Sequence, residues 1–127
     1  MIYGVGTDIV AVARMTDMHA RYGAKLAERL LALDEWGDYA EARAKDRFLA
    51  KRFAAKEALA KALGTGLRAP VALAAMSLSH DGLGRPEFSF APELQAWMKA
   101  HGVGKVHLSL SDEQHFALAF VVAERRP

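Results

Sequence analysis

The sequence contains no cysteine, which removes disulfides, zinc–thiolate sites and cysteine nucleophiles together. It also lacks any stretch approaching the roughly 20 apolar residues of a bilayer-spanning helix. The first apolar run, Met1 to Ile9, is broken by Gly4, Gly6 and Asp8 and has no basic leader. Neither a signal peptide nor a membrane segment is expected, and the expected address is the cytoplasm. An excess of either charge is missing too: 17 Lys and Arg stand against 15 Asp and Glu, a formal net charge of +2. That is too little to hold nucleic acid by bulk electrostatics. With no aromatic stacking pattern either, Arg14, Arg21, Arg47, Arg52 and Lys56 make a poor nucleic-acid surface. There is no internal repeat, low-complexity tract or linker.

What remains is one globular domain spanning residues 1–127, long enough to bury about two thirds of its unfolded surface without staples. Met1 to Val10 reads as a buried strand, followed by helical sequence from about Ala11 to Tyr22 that Gly23 breaks or kinks. Further helices are expected at about Lys25 to Leu31 and Asp34 to Arg43, with Asp34 as an N-cap. Asp46 to Leu63 holds no Gly or Pro and is rich in Ala, Leu, Lys and Arg, which predicts one long central helix over 46–63, stopped by Gly64. Strands follow at about Ala75 to His80 and Pro86 to Phe90, around the Asp81-Gly82-Leu83-Gly84 turn. Pro92 opens a helix to about His101, and two strands, Lys105 to Ser111 and His115 to Glu124, end the chain. The last strand is apolar on both faces, so one face is expected to meet another subunit. The class is α+β, an antiparallel sheet packed against helices.

Some charges break these patterns. Asp8 sits in Val5-Gly6-Thr7-Asp8-Ile9-Val10, where an ionised carboxylate out of water needs a partner. It either caps the next helix or binds a metal. On the long helix, Phe48, Leu49, Phe53, Leu59 and Leu63 fall within a sector of roughly 140°, and Arg52 and Lys56 project into its middle. Their stems can snorkel over apolar surface, or the helix faces a pocket that holds an anion. Glu57 and Lys61, spaced i, i+4, read equally as a solvated ion pair. Gly64-Thr65-Gly66 is either a helix cap or a turn whose backbone and hydroxyl approach a ligand.

The combination carries a resemblance. Gly4-Val5-Gly6-Thr7-Asp8-Ile9-Val10, with Arg52-Phe53-Ala54-Ala55-Lys56-Glu57-Ala58, Lys61-Ala62 and Gly64-Thr65-Gly66, resembles the two signature motifs of the holo-acyl-carrier-protein synthase family, the short type of 4′-phosphopantetheinyl transferase. The likeness extends over nearly the whole chain, through Ser109-Leu110-Ser111 to the last strand. It implies the 4′-phosphopantetheinyl transferase fold and transfer of phosphopantetheine from coenzyme A to a serine of acyl carrier protein, in fatty acid biosynthesis. It implies Mg²⁺ held by Asp8 and Glu57, and Lys61 on the reacting phosphates. Arg52, Lys56, Gly64, Thr65, Gly66 and Ser111 are implied on the coenzyme A side. A homotrimer with active sites between subunits is implied as well. Glu57, through a water molecule, is the expected acceptor of the serine proton. A coenzyme A-binding module without turnover is the competing reading, but simple binding does not need paired metal carboxylates. One position departs: many relatives carry histidine after Ser-x-Ser, where this chain has Asp112, so no histidine base carries over there. His107 and His115 are read as structural.

If the first helix runs on through Gly23, then Arg14, Met18, Arg21 and Lys25 share one face. Relatives dock their acidic carriers on basic residues of this helix, which assigns Arg14, Met18 and Arg21 to the carrier. Reversing the charge at Arg14 is expected to raise KM for the carrier much more than KM for coenzyme A in steady-state assays; equal effects would remove the docking assignment.

Overall fold

The computed structural model describes residues 1–127. Strand β1 (Ile2–Ala11) runs into helix α1 (Val12–Tyr22), then α2 (Ala24–Leu30), a 3-10 turn at Leu33–Glu35, α3 (Trp36–Glu41) and the long α4 (Lys45–Leu63). The second half holds β2 (Met76–His80), β3 (Pro86–Phe90), α5 (Pro92–Ala100), β4 (Val103–Asp112) and β5 (Phe116–Arg125). The architecture is α+β, as expected. Its strands form two antiparallel sheets, one ordered β1-β5-β4 and one pairing β2 with β3.

Helix α4 lies across the three-stranded sheet, and its seat explains the glycines of the first motif. A Cβ on Gly4 would stand 1.9 Å from the carbonyl oxygen of Ala62, and one on Gly6 equally close to that of Ala58. Two strand residues advance about 6.6 Å while four helix residues retreat about 6 Å. The strand and helix therefore step along each other in register. The helix answers with small residues: Ala50, Ala54, Ala55, Ala58, Ala60 and Ala62 are all buried. The burial runs further around α4 than the Phe and Leu sector implied, because alanine contributes little to an apolar stripe yet seats a backbone closely.

The other sheet face is bare. Phe116, Leu118 and Phe120 alternate outward along β5, each 43% exposed, beside Val5 and Ile9 of β1. In the middle of this face Thr7 pairs with Phe120, and Ile9 with Leu118.

Gly23 breaks the first helix, as expected, and one expected cap is absent. The first helix does not pass Gly23, which adopts φ 59° and ψ −137° and starts α2 at Ala24, so Lys25 leaves the face of Arg14 and Arg21. Asp34 caps no helix; it lies in the 3-10 turn, and its carboxylate accepts a hydrogen bond from Ser77 Oγ at 2.7 Å.

Because the obstruction at Gly6 is helix backbone, Gly6→Ala is expected to destabilise by about 1–3 kcal/mol. A fall in the urea midpoint against wild type measures it.

Candidate functional site

The register of β1 on α4 sets the site. Gly4, Gly6, Asp8 and Val10 share the strand face that meets the helix. Glu57 and Lys61 each precede by one residue the alanines that seat Gly6 and Gly4. Lys61 Nζ donates to Thr7 O at 2.9 Å and to Asp8 Oδ1 at 3.1 Å. The Asp8 side chain is only 16% exposed. Burial, and then the negative charge of Asp8, push the Glu57 carboxyl above the ordinary glutamate value, while Lys61 and Arg14 act against them. The Arg14 guanidinium stands 5.5 Å over the Phe53 ring.

Asp8 is thus a strand carboxylate beside a second carboxylate whose proton affinity it raises. A divalent cation relieves that repulsion. No cluster of three His, Cys, Asp or Glu side chains stands here or elsewhere in the chain. A metal held by Asp8 and Glu57 would keep most positions for phosphate oxygens and water, which suits Mg²⁺ and not a closed zinc cage.

Arg52 and Lys56 are not part of this cluster. Lys56 is fully buried and donates to Leu30 O at 2.7 Å and to Glu35 Oε1 at 2.5 Å. Arg52, 3% exposed, holds Nε 2.8 Å from Glu35 Oε2 and Nη2 3.6 Å from Asp38 Oδ2. Its Nε–H has no well-aligned hydrogen-bond partner, so the contact is chiefly ionic with a weak hydrogen-bond component. Burial pulls Arg52 and Lys56 below their usual values, and the Glu35 charge opposes it. The assignment of Lys56 to the coenzyme is therefore corrected: its ammonium is enclosed in protein and reaches no ligand. Neither snorkelling nor a phosphate contact accounts for it.

Glu35 is the residue that sequence reasoning missed. Fully buried, it also accepts Ala32 N at 2.9 Å and Leu78 N at 3.1 Å, tying the 3-10 turn, α4 and β2 together. A glutamate in a short amphipathic stretch carries no local signal of this. The intrusion of two cations into the α4 apolar sector was the available clue that a buried anion existed.

Arg52 still reaches a ligand-accessible surface. With Arg47, Lys51 and His80, and with Asp38 opposing, it lines a cavity of about 560 Å³. His80 sits below its usual pKa through burial, then the charges of Arg52 and Lys51, so the cleft is electropositive. Arg52 and Glu57 are five residues apart, about 140° around the helix, and this cleft lies on a different flank of α4 from the carboxylates.

The remaining expected residues are dispersed. The amides of Gly64, Thr65 and Gly66 all donate to carbonyls of the last turn of α4, and Thr65 Oγ1 donates to Gly66 O. This turn is a helix cap whose amides are not free for phosphate. Ser111 pairs with Leu118 on the bare sheet face, opposite Asp8. Asp112 pairs with Arg47 at 3.3 Å and Lys51 at 3.7 Å, and His107 pairs with Glu124. On α1, Arg14 and Arg21 are exposed and Met18 is half-buried against the core.

Residues 4–121 match the family model described as the 4′-phosphopantetheinyl transferase superfamily. The holo-[acyl-carrier-protein] synthase of Nitrosospira multiformis is 51% identical over 98% of this chain and 100% of that protein. Among solved structures, the holo-[acyl-carrier-protein] synthase from Neisseria meningitidis is 46% identical with a TM-score of 0.96, covering 98% of this chain and all of that one. The Bacillus anthracis enzyme in complex with CoA (3′,5′-ADP) is 33% identical, with a TM-score of 0.81 over 98% of both chains.

A carboxyl whose pKa is raised on folding contributes stability below its unfolded value and loses it as pH climbs through the folded value. For the metal-free protein, Glu57→Gln is therefore expected to melt higher than wild type at pH 7. The gap should close as pH falls toward the ordinary glutamate range, read from melting curves at a series of pH values.

Proposed function

The chain belongs to the 4′-phosphopantetheinyl transferase superfamily, and from that membership we infer that it transfers 4′-phosphopantetheine from coenzyme A to a serine hydroxyl of apo-acyl carrier protein, releasing adenosine 3′,5′-bisphosphate. The observation that carries the reading is the carboxylate pair: Asp8, fixed by the β1–α4 register, stands beside Glu57 with Lys61 in contact. These residues suit phosphoryl transfer, where catalysis is mostly positioning and charge neutralisation.

Asp8 and Glu57 are the proposed ligands of Mg²⁺, which when bound would neutralise charge on the pyrophosphate. Lys61 lies at hydrogen-bond distance from Asp8 and is half exposed, so it can turn from the carboxylate to a phosphate oxygen. The serine oxygen attacks the phosphorus that bears the pantetheine arm, and the bond to the nucleotide phosphate breaks. Glu57 accepts the serine proton through water.

Arg14 and Arg21 offer exposed cations to an acidic carrier. The charge of Arg14 is already felt at Glu57, so a carrier docked on α1 brings its serine close to the carboxylates. The cleft of Arg47, Lys51, Arg52 and His80 is the proposed seat of the nucleotide end. That cleft, Ser111 and the Asp8–Glu57 pair occupy three separate surfaces of one chain. A homotrimer in which one copy's surface completes the next copy's site accounts for the separation, and the bare apolar sheet face supports it. The cytoplasm and fatty acid biosynthesis belong to the same reading, as the setting of these two substrates.

Incubation with coenzyme A, Mg²⁺ and an apo-carrier, followed by mass spectrometry of the carrier, tests the proposal. A phosphopantetheine adduct that disappears with EDTA and returns with added Mg²⁺ is expected. Coenzyme A binding without any adduct would instead mark a binding module.

A further inference from the structure

Two buried cations, Arg52 and Lys56, share one buried carboxylate, Glu35. Lys56 takes the better bond, an aligned contact from Nζ to Oε1. Arg52 keeps a chiefly ionic contact to Oε2 through an Nε that has no well-aligned hydrogen-bond partner. Its guanidinium carbon lies 4.3 Å over the Phe48 ring, and Asp38 approaches from the exposed rim without reaching hydrogen-bonding distance. The group is therefore held from three sides with its Nε imperfectly paired, and its open side is the basic cleft. A planar fork held this way is preorganised for an oxyanion, and little rotamer freedom is left to lose on binding.

Glu35 is what holds it. Both carboxylate oxygens are anchored by backbone, Oε1 by Ala32 N and Oε2 by Leu78 N, so the anion cannot follow Arg52 if that side chain moves. We propose that Glu35 is a positioning residue for the nucleotide half of the reaction: from the core it aims the Arg52 guanidinium into the cleft, where it meets a phosphate group of coenzyme A. This rests on the cleft being the seat of the nucleotide end.

Two variants and their combination test it. Glu35→Gln keeps the shape and removes the anchor charge. Arg52→Lys keeps a cation and removes the fork. Each is expected to raise KM for coenzyme A by about tenfold or more, with KM for the carrier within about threefold of wild type; the double variant should be no worse than the poorer single one, because both break one interaction. Where Glu35→Gln alone does not fold, Glu35→Gln with Lys56→Met removes one anion and one cation together, and the same rise in KM is expected in protein that circular dichroism shows to be folded. If Arg52→Lys leaves KM for coenzyme A unchanged, the fork meets no phosphate and the inference is overturned; if a triple Arg47→Ala, Lys51→Ala, Arg52→Ala variant leaves it unchanged too, the cleft is not the nucleotide seat and the underlying reading falls. If Arg52→Lys raises it but folded Glu35 variants do not, or if the two effects multiply, Glu35 serves stability alone and the inference is overturned.

Discussion

The contact that the rest of the structure depends on is backbone against backbone. Gly4 and Gly6 lie on the carbonyls of Ala62 and Ala58 with no room for a Cβ, and this closeness sets the depth and register of β1 along α4. Interiors are packed too tightly for such a contact to be loosened locally. Once the register is set, Asp8 arrives beside Glu57 and Lys61 without further instruction. A strand carboxylate and a helix carboxylate from distant parts of the chain become neighbours because glycines two apart match alanines four apart.

The opposite flank of the same helix is fastened by charge. Glu35 binds both Arg52 and Lys56 and two backbone amides besides. A buried ionic cluster of this kind adds little net stability over an apolar core, but losing one member costs about 3–5 kcal/mol. Its value lies in holding α4 at a defined roll between the sheet and the 3-10 turn. The helix presents carboxylate chemistry on one side and a cation to the cleft on the other, with each side anchored by a different kind of contact.

Much of this was legible in the sequence, for physical reasons that differ by residue. Helix α4 was legible to within one residue, because a stretch free of Gly and Pro holds no helix breaker. Asp8 was visible because a carboxylate inside an apolar strand demands an explanation. What Arg52 and Lys56 meet was not visible. The helical positions placed the two cations on one sector, but whether that sector met solvent, a ligand or a buried acid depended on Glu35, more than fifteen residues upstream and joined only by folding. The alanine face was hidden for the opposite reason: small residues barely register in an apolar pattern, although they let the glycines of β1 seat against the helix backbone. The turn after α4 read equally as cap or cradle, and its hydrogen bonds show the cap.

That cap has an electrostatic consequence. Glycine-rich phosphate loops usually exploit the positive end of a helix and its free amides. Here the glycines close the negative end, and their amides are spent on helix carbonyls. Phosphate near this turn meets an opposing dipole, so under the proposed function its attraction comes from discrete charges such as Lys61 and the basic cleft. Exposed charges of that kind are screened by salt, and ionic strength becomes a control on substrate affinity that follows from the direction in which α4 points.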